Sequence, residues 1–269
     1  MALISLVFLP HNSLLNNSDN VANQKALAEA KKKAAQERKL KQDPLLAELN
    51  QKLSINDQYA VSIFDISNSE KFGISETKSF HSASVTKILV ATAALQGVES
   101  GKYSLEQQLG AGTFKYQLQQ MINQSKNNSW DLFNNLIGFN GEQKVADQLG
   151  LKGVDMNQTR MTTDAVAQLL LSLYKGKALR PKERDLLFSY MQNTETENRI
   201  SPAIPKGISF YHKTGSFGGE LHDAAIVIHP KNPFVLVIFT VDSKGTSWGT
   251  RFASFQKATN LVYSYFDSI

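Results

Sequence analysis

The stretch that decides the fold is "HSASVTKILVATAALQ", residues 81–96. It places Ser84 three residues before Lys87 and then continues as an almost unbroken apolar run. Positions i and i+3 share one face of a helix, so the lysine amine can reach the serine hydroxyl. An apolar run without a polar face is typical of a helix buried on every side. The stretch therefore predicts a buried helix that opens with a serine and a lysine.

This pair has two interpretations. In the first, Ser84 is a nucleophile and Lys87 takes its proton, which requires burial or nearby positive charge to lower the pKa of the lysine. In the second, Ser82 or Ser84 only caps the helix and Lys87 extends into solvent. The same spacing occurs three more times, in polar or helix-end surroundings, at Ser75/Lys78, Ser172/Lys175 and Ser254/Lys257. The apolar helix therefore distinguishes the pair at 84 and 87.

A second motif lies in "MINQSKNNSWDLF", residues 121–133. Ser125 and Asn127 fall between two predicted helices, where a loop can direct a hydroxyl and an amide into a cleft. Ser-x-Asn also occurs at residues 18–20 and 54–56, but both of these precede the serine and lysine pair. Taken alone, Ser125 and Asn127 are equally well explained as loop and capping residues.

A third motif is Lys213-Thr214-Gly215, within "YHKTGSFGGELHDAAIV", residues 211–227. It ends a predicted strand that turns through glycines into the next strand. A strand edge offers free N–H groups to an extended substrate, and a glycine lets the two backbones come close. Lys213 would add a fixed positive charge. The alternative is a lysine that happens to lie near a hairpin turn.

The order of predicted elements indicates an α/β (α+β) fold. A helix starts at Asp43 and Pro44, as cap and first position, and a hairpin follows at 59–66 and 71–76. Helical patterns then cover 84–99, 114–123, 128–137, 141–149, 162–174 and 181–191. Three more strands follow at 208–214, 222–229 and 234–242, and a helix covers about 247–266. Short connections make the sheet antiparallel, so its two halves must meet across the helical block.

Composition separates the chain into two parts. Its 269 residues are 42% hydrophobic and 20% charged, which is ordinary for a globular protein. Residues 1–42 hold seven basic and three acidic residues, which accounts for +4 of the net +5. We predict that 1–42 is an export or anchor remnant and a basic tether or lone polar helix, and that 43–269 is one catalytic domain. The nearly neutral body argues against nucleic acid as a partner.

The N-terminal apolar stretch at 2–10 is too short to span a bilayer. It indicates either a truncated export segment or a chance apolar start, and it favours a secreted or extracytoplasmic protein with membrane or cell-wall association through this segment. The absence of cysteine excludes disulfides, thiolate zinc sites and a cysteine nucleophile.

The three motifs, in this order, resemble those of the penicillin-recognising serine hydrolases, the superfamily of class A β-lactamases and D-alanyl-D-alanine peptidases. The resemblance covers about residues 45–268. It implies a β-lactamase or DD-peptidase-like fold, in which terminal helices flank a five-stranded antiparallel sheet beside a helical subdomain.

The resemblance also implies a role for each motif residue. Ser84 would attack a carbonyl, Lys87 would accept its proton, and Ser125 would relay a proton to the departing nitrogen. Substrate binding would fall to Asn127, Lys213, Thr214, Gly215 and Ser216. Backbone N–H groups of Ser84 and Ser216 would form the oxyanion hole. No metal or cofactor enters this scheme, and we expect a monomer.

The sequence departs from class A β-lactamases where they carry a glutamate in an Ω-shaped loop that activates the deacylating water. The ten residues between 150 and 161 are "LKGVDMNQTR", which include no glutamate, and Asp155 is the one carboxylate. We therefore expect a penicillin-binding, DD-peptidase-like enzyme that acylates Ser84 with β-lactams or D-alanyl peptides and deacylates slowly. The alternatives are a true β-lactamase with a substitute base, such as Asp155, and a non-catalytic cell-wall-binding protein.

Overall fold

The computed structural model describes the backbone from Leu15 to Ile269 and side chains from Asn20 onward, so the apolar stretch at 2–10 lies outside it. Its helices are α1 Leu15–Leu53, α2 Lys87–Glu99, α3 Phe114–Ile122, α4 Asn127–Ile137, α5 Phe139–Gln148, α6 Thr163–Tyr174, α7 Pro181–Tyr190 and α8 Trp248–Ser268. Its strands are β1 Gln58–Asp65, β2 Glu70–Ile74, β3 Ser79–His81, β4 Gln108–Leu109, β5 Gly112–Thr113, β6 Val154–Asp155, β7 Arg160–Thr162, β8 Phe210–Phe217, β9 Glu220–Val227 and β10 Phe234–Val241.

The main sheet has five antiparallel strands in the order β2-β1-β10-β9-β8. Strand β1 pairs with β10 along its whole length, from Gln58 opposite Val241 to Asp65 opposite Phe234. The predicted antiparallel sheet, closed by strands from the two ends of the domain, is therefore confirmed. Strand β8, which carries the third motif, lies at one edge.

The two faces of this sheet build two hydrophobic cores. Alternate residues of a strand point to opposite faces. On β10, Phe234, Leu236 and Ile238 pack with α8 and the last turns of α1. The residues between them, including Val235 and Val237, pack with α2 and α6. Terminal helices on one face and helices of the middle of the chain on the other confirm the predicted layers.

Helix α2 is as buried as its composition predicts. Each of its residues from Lys87 to Leu95 is buried, and it packs against α4 and α5. A lysine at the start of such a helix is removed from solvent together with its apolar neighbours.

Helix α1 begins earlier than predicted. The prediction that a helix starts at Asp43 and Pro44 is wrong, because α1 runs from Leu15 to Leu53 and contains Pro44. The residues before Pro44 are rich in Ala, Lys, Gln and Glu, which have high helix propensity. An ion pair of 2.6 Å between Lys39 and Asp43 adds an i,i+4 contact. From Leu15 onward, this segment is therefore the polar helix that we gave as the alternative to a tether.

By its contacts the chain divides at Pro44, and Leu45–Ile269 forms one unit. Among residues 15–269, no helix has the length and apolar character needed to cross a bilayer.

Five short strands were not predicted. Strands β3, β7 and β6 form a small sheet, and β4 pairs with β5. Segments of two or three residues are too short for an alternating pattern to be visible in the sequence. The small sheet helps to position Ser84, because Thr159, just before β7, accepts hydrogen bonds from the Ser82 backbone N–H at 2.8 Å and hydroxyl at 3.0 Å. This contact holds the segment that leads into Ser84.

Candidate active site

Ser84 lies in a 3-10 turn, Ala83–Thr86, that connects β3 to α2. Ala83 adopts a left-handed backbone conformation with φ of 47°, which is uncommon for a residue with a side chain. The side chain of Ser82 makes no capping hydrogen bond, and the Ser84 hydroxyl bonds no other residue in the described part of the chain. This geometry contradicts the capping interpretation and leaves the Ser84 oxygen available for reaction.

Lys87 is buried directly behind this turn, with 2% of its surface exposed. Its Nζ donates to the backbone oxygen of Ser125 at 2.6 Å and to Oδ1 of Asn127 at 2.8 Å. Burial lowers the pKa of Lys87 to about 8, although the Asp131 carboxylate acts in the opposite direction. With this pKa about a tenth of the amine is neutral at pH 7 and able to accept a proton, far more than for an exposed lysine.

Ser125 joins the first motif to the third. It has a left-handed backbone conformation with φ of 58°, two residues before α4 begins at Asn127. Its carbonyl oxygen faces Lys87, while its hydroxyl accepts a hydrogen bond from Lys213 Nζ at 2.8 Å. One residue therefore contacts both lysines, and the three sequence motifs meet at this point.

The charge of Lys213 is governed by its burial and by its neighbours. Burial, followed by the nearby positive charge of Lys87, lowers the pKa of Lys213 to about 7. Its Nζ also donates to the Thr214 carbonyl at 3.0 Å. Its charge near neutral pH therefore depends on its surroundings, and a bound anion would favour the ammonium form.

The edge strand β8 runs against the turn that holds Ser84. A Cβ atom added to Gly215 would lie 3.0 Å from the Ser84 backbone nitrogen and 3.1 Å from the Ser82 carbonyl oxygen. Such distances are tighter than most Cβ contacts in proteins, so a side chain here would require the strand or the turn to shift by a few tenths of an ångström. The close approach brings the third motif to the backbone of Ser84.

The outer edge of β8 presents free donors. The His212 N–H points away from β9 and donates to the Met191 carbonyl at 2.9 Å. Because the direction of N–H groups alternates along a strand, those of Thr214 and Ser216 point to the same side. Together with the turn at Ser84, this edge can bind an extended substrate through its backbone.

Arg199 is a residue of this site that the sequence did not reveal. It is 1% exposed, and it donates to the carbonyl oxygens of Gly215, at 2.8 Å, and His222, and to the Ser216 hydroxyl. Burial lowers the pKa of Arg199 to about 10, so it remains a cation at neutral pH. It lies outside any motif, and its role depends on contacts with a distant strand.

A cavity of about 320 Å³ opens over these groups. Four of the eight predicted site residues lie on its wall, namely Ser84, Lys87, Asn127 and Ser216. The other four lie behind it, with Ser125 and Lys213 joined to the wall by hydrogen bonds and Thr214 and Gly215 in β8. The structure therefore brings all eight residues to one place.

Seven wall residues were missed, namely His81, Ala83, Thr86, Trp130, Asp131, Thr159 and Phe217. Of these, Asp131 had a visible signal, since it follows Asn127 by one helical turn. Asp155, our candidate for a substitute base, is not on the wall. Its carboxylate accepts a hydrogen bond of 3.1 Å from the Gln158 backbone, as a turn residue does. Within residues 15–269, no cluster of three or more His, Cys, Asp or Glu side chains is arranged to hold a metal ion.

The layered fold and the convergence of the three motifs define the class of protein: the chain is a serine hydrolase of the penicillin-recognising superfamily. More narrowly, it belongs to the beta-lactamase enzyme family, whose model matches residues 45–266.

Individual relatives are distant. The chain is 24% identical over 241 residues to beta-lactamase VEB-1 of Pseudomonas aeruginosa, covering 71% of this chain and 80% of that protein. The structure is similar to a crystal structure of a beta-lactamase from Chitinophaga pinensis, with a TM-score of 0.77, 22% identity, and coverage of 82% of this chain and 98% of that one. It is also similar to an acyl-enzyme complex of a PBP-A mutant with penicillin G, with a TM-score of 0.74, 22% identity, and coverage of 84% and 97%.

Proposed function

We propose that the protein forms a covalent acyl-enzyme at Ser84 with β-lactams or D-alanyl peptides and releases the acyl group slowly. The observation that carries this proposal is the shared contact at Ser125, which accepts a hydrogen bond from Lys87 on its carbonyl and from Lys213 on its hydroxyl. This arrangement places the residue that would relay the proton directly beside the proposed base.

The proposed acylation begins when Ser84 Oγ bonds to the carbonyl carbon and its proton passes to the neutral amine of Lys87. The bond from that carbon to nitrogen then breaks, and Ser125 passes the proton to the leaving nitrogen. Two features support these roles: the lowered pKa of Lys87 and its hydrogen bond to the residue that would carry the relay.

Substrate positioning is supported by the free edge of β8 and by buried positive charge behind it. The backbone N–H groups of Ser84 and Ser216 would stabilise the oxyanion, where the loss of one such donor typically costs roughly 100- to 1000-fold in rate. Asn127 would orient the substrate amide. Thr214 and Ser216 suit a substrate carboxylate, because the Arg199 cation and the Lys213 amine are buried behind them and a bound anion favours the ammonium form of Lys213.

Slow release is supported by residues 151–160, the region where class A β-lactamases carry the glutamate that activates the deacylating water. These residues contain no glutamate, and their one carboxylate, Asp155, is engaged in a turn. The acyl-enzyme complex recorded for a PBP-A mutant with penicillin G is consistent with a long-lived intermediate on this fold. A second candidate, a β-lactamase with efficient turnover, is favoured by the similarity to VEB-1.

We also propose an extracytoplasmic location, because D-alanyl peptides belong to the bacterial cell wall. The basic polar helix before Pro44 suits a tether beside an anionic envelope. Blocking export of the full chain in the bacterium that makes it, and following where the protein accumulates, tests this part of the proposal.

Intact-mass spectrometry after incubation with penicillin tests the acyl-enzyme. We expect a mass increase of one penicillin that persists for hours, and no increase with Ser84→Ala. Lys87→Ala should slow labelling by about 100-fold or more, because a positioned base typically contributes at least that factor. Lys175→Ala is the matched control, since Lys175 belongs to another Ser-x-x-Lys pair and is exposed. It should label like the unmodified protein.

The other outcomes identify the alternatives. A label that disappears within seconds favours the β-lactamase. If neither β-lactams nor fluorophosphonates ever label Ser84, the acyl-enzyme proposal fails and the non-catalytic cell-wall-binding protein gains support.

A further inference from the structure

A carboxylate that the motifs do not include lies on the wall of the active-site cavity. Asp131 lies one helical turn after Asn127 on α4, so both side chains share a face of that helix. Both line the cavity together with Ser84 and Lys87. Among the cavity-lining residues of the described chain, Asp131 is the one Asp or Glu.

The Asp131 carboxylate is available for chemistry. It is exposed, and it forms no hydrogen bond or ion pair with another residue between 15 and 269. It nevertheless acts on the proposed base, since its negative charge raises the pKa of Lys87 against the effect of burial. Asp131 therefore belongs electrostatically to the catalytic groups and still has both oxygens free to accept a proton.

The other carboxylates near this region are occupied. Asp155 accepts from the Gln158 backbone, and Glu220 pairs with His81 at 2.6 Å. Glu195 pairs with Lys126 at 3.4 Å. None of these three acidic residues lies on the cavity wall.

We propose that Asp131 is the general base that activates the water which hydrolyses the acyl-Ser84 ester. The inference rests on the acyl-enzyme proposed above, and it replaces Asp155 by Asp131 as the residue that sets the lifetime of that ester. Solvent reaches Asp131 freely, so the water need not be trapped in a closed site.

Hydrolysis of the ester conserves atoms and charge. The water oxygen bonds to the ester carbonyl carbon while one water proton passes to the Asp131 carboxylate. The bond from carbon to Ser84 Oγ then breaks, and the proton held by Asp131 passes through the neutral amine of Lys87 to Oγ. The products are a carboxylic acid and the original Ser84 hydroxyl, with both catalytic groups restored.

The test measures formation and decay of the acyl-enzyme separately. Each protein is labelled with penicillin, excess ligand is removed, and intact-mass spectra follow the acylated fraction over time. Asp131→Asn keeps the size of the side chain and removes the base, so we expect the label to persist about 100-fold longer. The rate of labelling should not fall. Asp131→Glu should recover a large part of the decay rate.

Asp155→Asn is the matched control, because it removes a carboxylate that lies off the cavity wall; its decay rate should be unchanged. A decay rate that Asp131→Asn leaves as it was would overturn the inference, and so would an equal slowing of labelling and decay, which indicates a structural role. Absence of labelling in the unmodified protein overturns the proposed function itself, and with it this inference. The two failures are therefore distinguishable.

Discussion

In the proposed acylation, the balance of charges around Lys87 would determine when Ser84 reacts. Burial favours the neutral amine, and the Asp131 carboxylate favours the ammonium. Both hydrogen bonds of its Nζ go to uncharged oxygens, those of Ser125 and Asn127. The protonation state is therefore sensitive to a single nearby negative charge.

This balance predicts the pH dependence of acylation. Because the proposed base is the neutral amine, the labelling rate should rise with pH and level off above about 8, the pKa of Lys87. Asp131→Asn removes the charge that stabilises the ammonium, so the rising limb should move to lower pH. The measurement is the labelling rate constant of both proteins across the neutral and alkaline range, with Asp155→Asn as control. If the rising part of the rate profile of Asp131→Asn stays at the same pH or moves to higher pH, the result contradicts this account of Lys87.

At the level of elements, the site depends on how closely β8 approaches the 3-10 turn before α2. Gly215 permits this approach, because a Cβ there would meet backbone atoms of Ser82 and Ser84. Arg199 bonds the Gly215 carbonyl of this strand and the His222 carbonyl of the neighbouring β9. The strand and the turn therefore form one backbone surface, although they are more than 100 residues apart in the sequence.

Gly215→Ala should separate these two elements. The added methyl group pushes the strand away from Ser84, which misplaces the proposed oxyanion donors, and we expect labelling to slow by about 100-fold. Stopped-flow or gel-based labelling rates measure this effect, and thermal unfolding shows whether the protein remains folded. Gly249→Ala is the control, since a Cβ there meets no atom within 4 Å. Equal labelling rates for Gly215→Ala and the unmodified protein would show that labelling does not depend on the close approach of β8 to the turn at Ser84.

The sequence predicted the long elements well and the small ones poorly. Periodicity and turn residues define β1, β10 and α2 locally, so their existence could be read from neighbouring residues. Arg199 could not be found in this way, because what makes it important is its contact with carbonyl oxygens of β8 and β9. Asp131 could have been suspected from its spacing to Asn127, but only the cavity identifies it as a wall residue.

For the molecule as a whole, the unit that begins at Leu45 includes the last turns of α1. Leu45, Leu49 and Leu53 are buried in the core formed with α8 and the sheet. Before Pro44, the exposed Leu40 retains 67% of its surface. The start of this helix was mispredicted because proline usually marks a first turn, whereas here favourable residues precede it and the helix continues through it.

Two leucine substitutions on α1, one on each side of Pro44, test whether only the part after Pro44 contributes to the core. Leu49→Ala should lower the free energy of unfolding by about 2–5 kcal/mol, since it leaves a cavity in a close-packed core. Leu40→Ala should change it by less than about 0.5 kcal/mol, as is usual for exposed positions. Urea denaturation of the full chain measures both values. Similar losses for the two variants would contradict the separation of the core from the polar part of α1.

The pairing of β1 with β10 affects the order in which the nascent chain can fold. Residues 58–65 emerge from the ribosome early, while their partners at 234–241 come close to the end of translation. During most of synthesis β1 can therefore pair on only one side, with β2, and its other edge stays open to water or to a chaperone. Contacts so distant along the chain also make folding slow. The central sheet of an unfinished chain therefore cannot be completed until residues 234–241 have been made, near the end of synthesis.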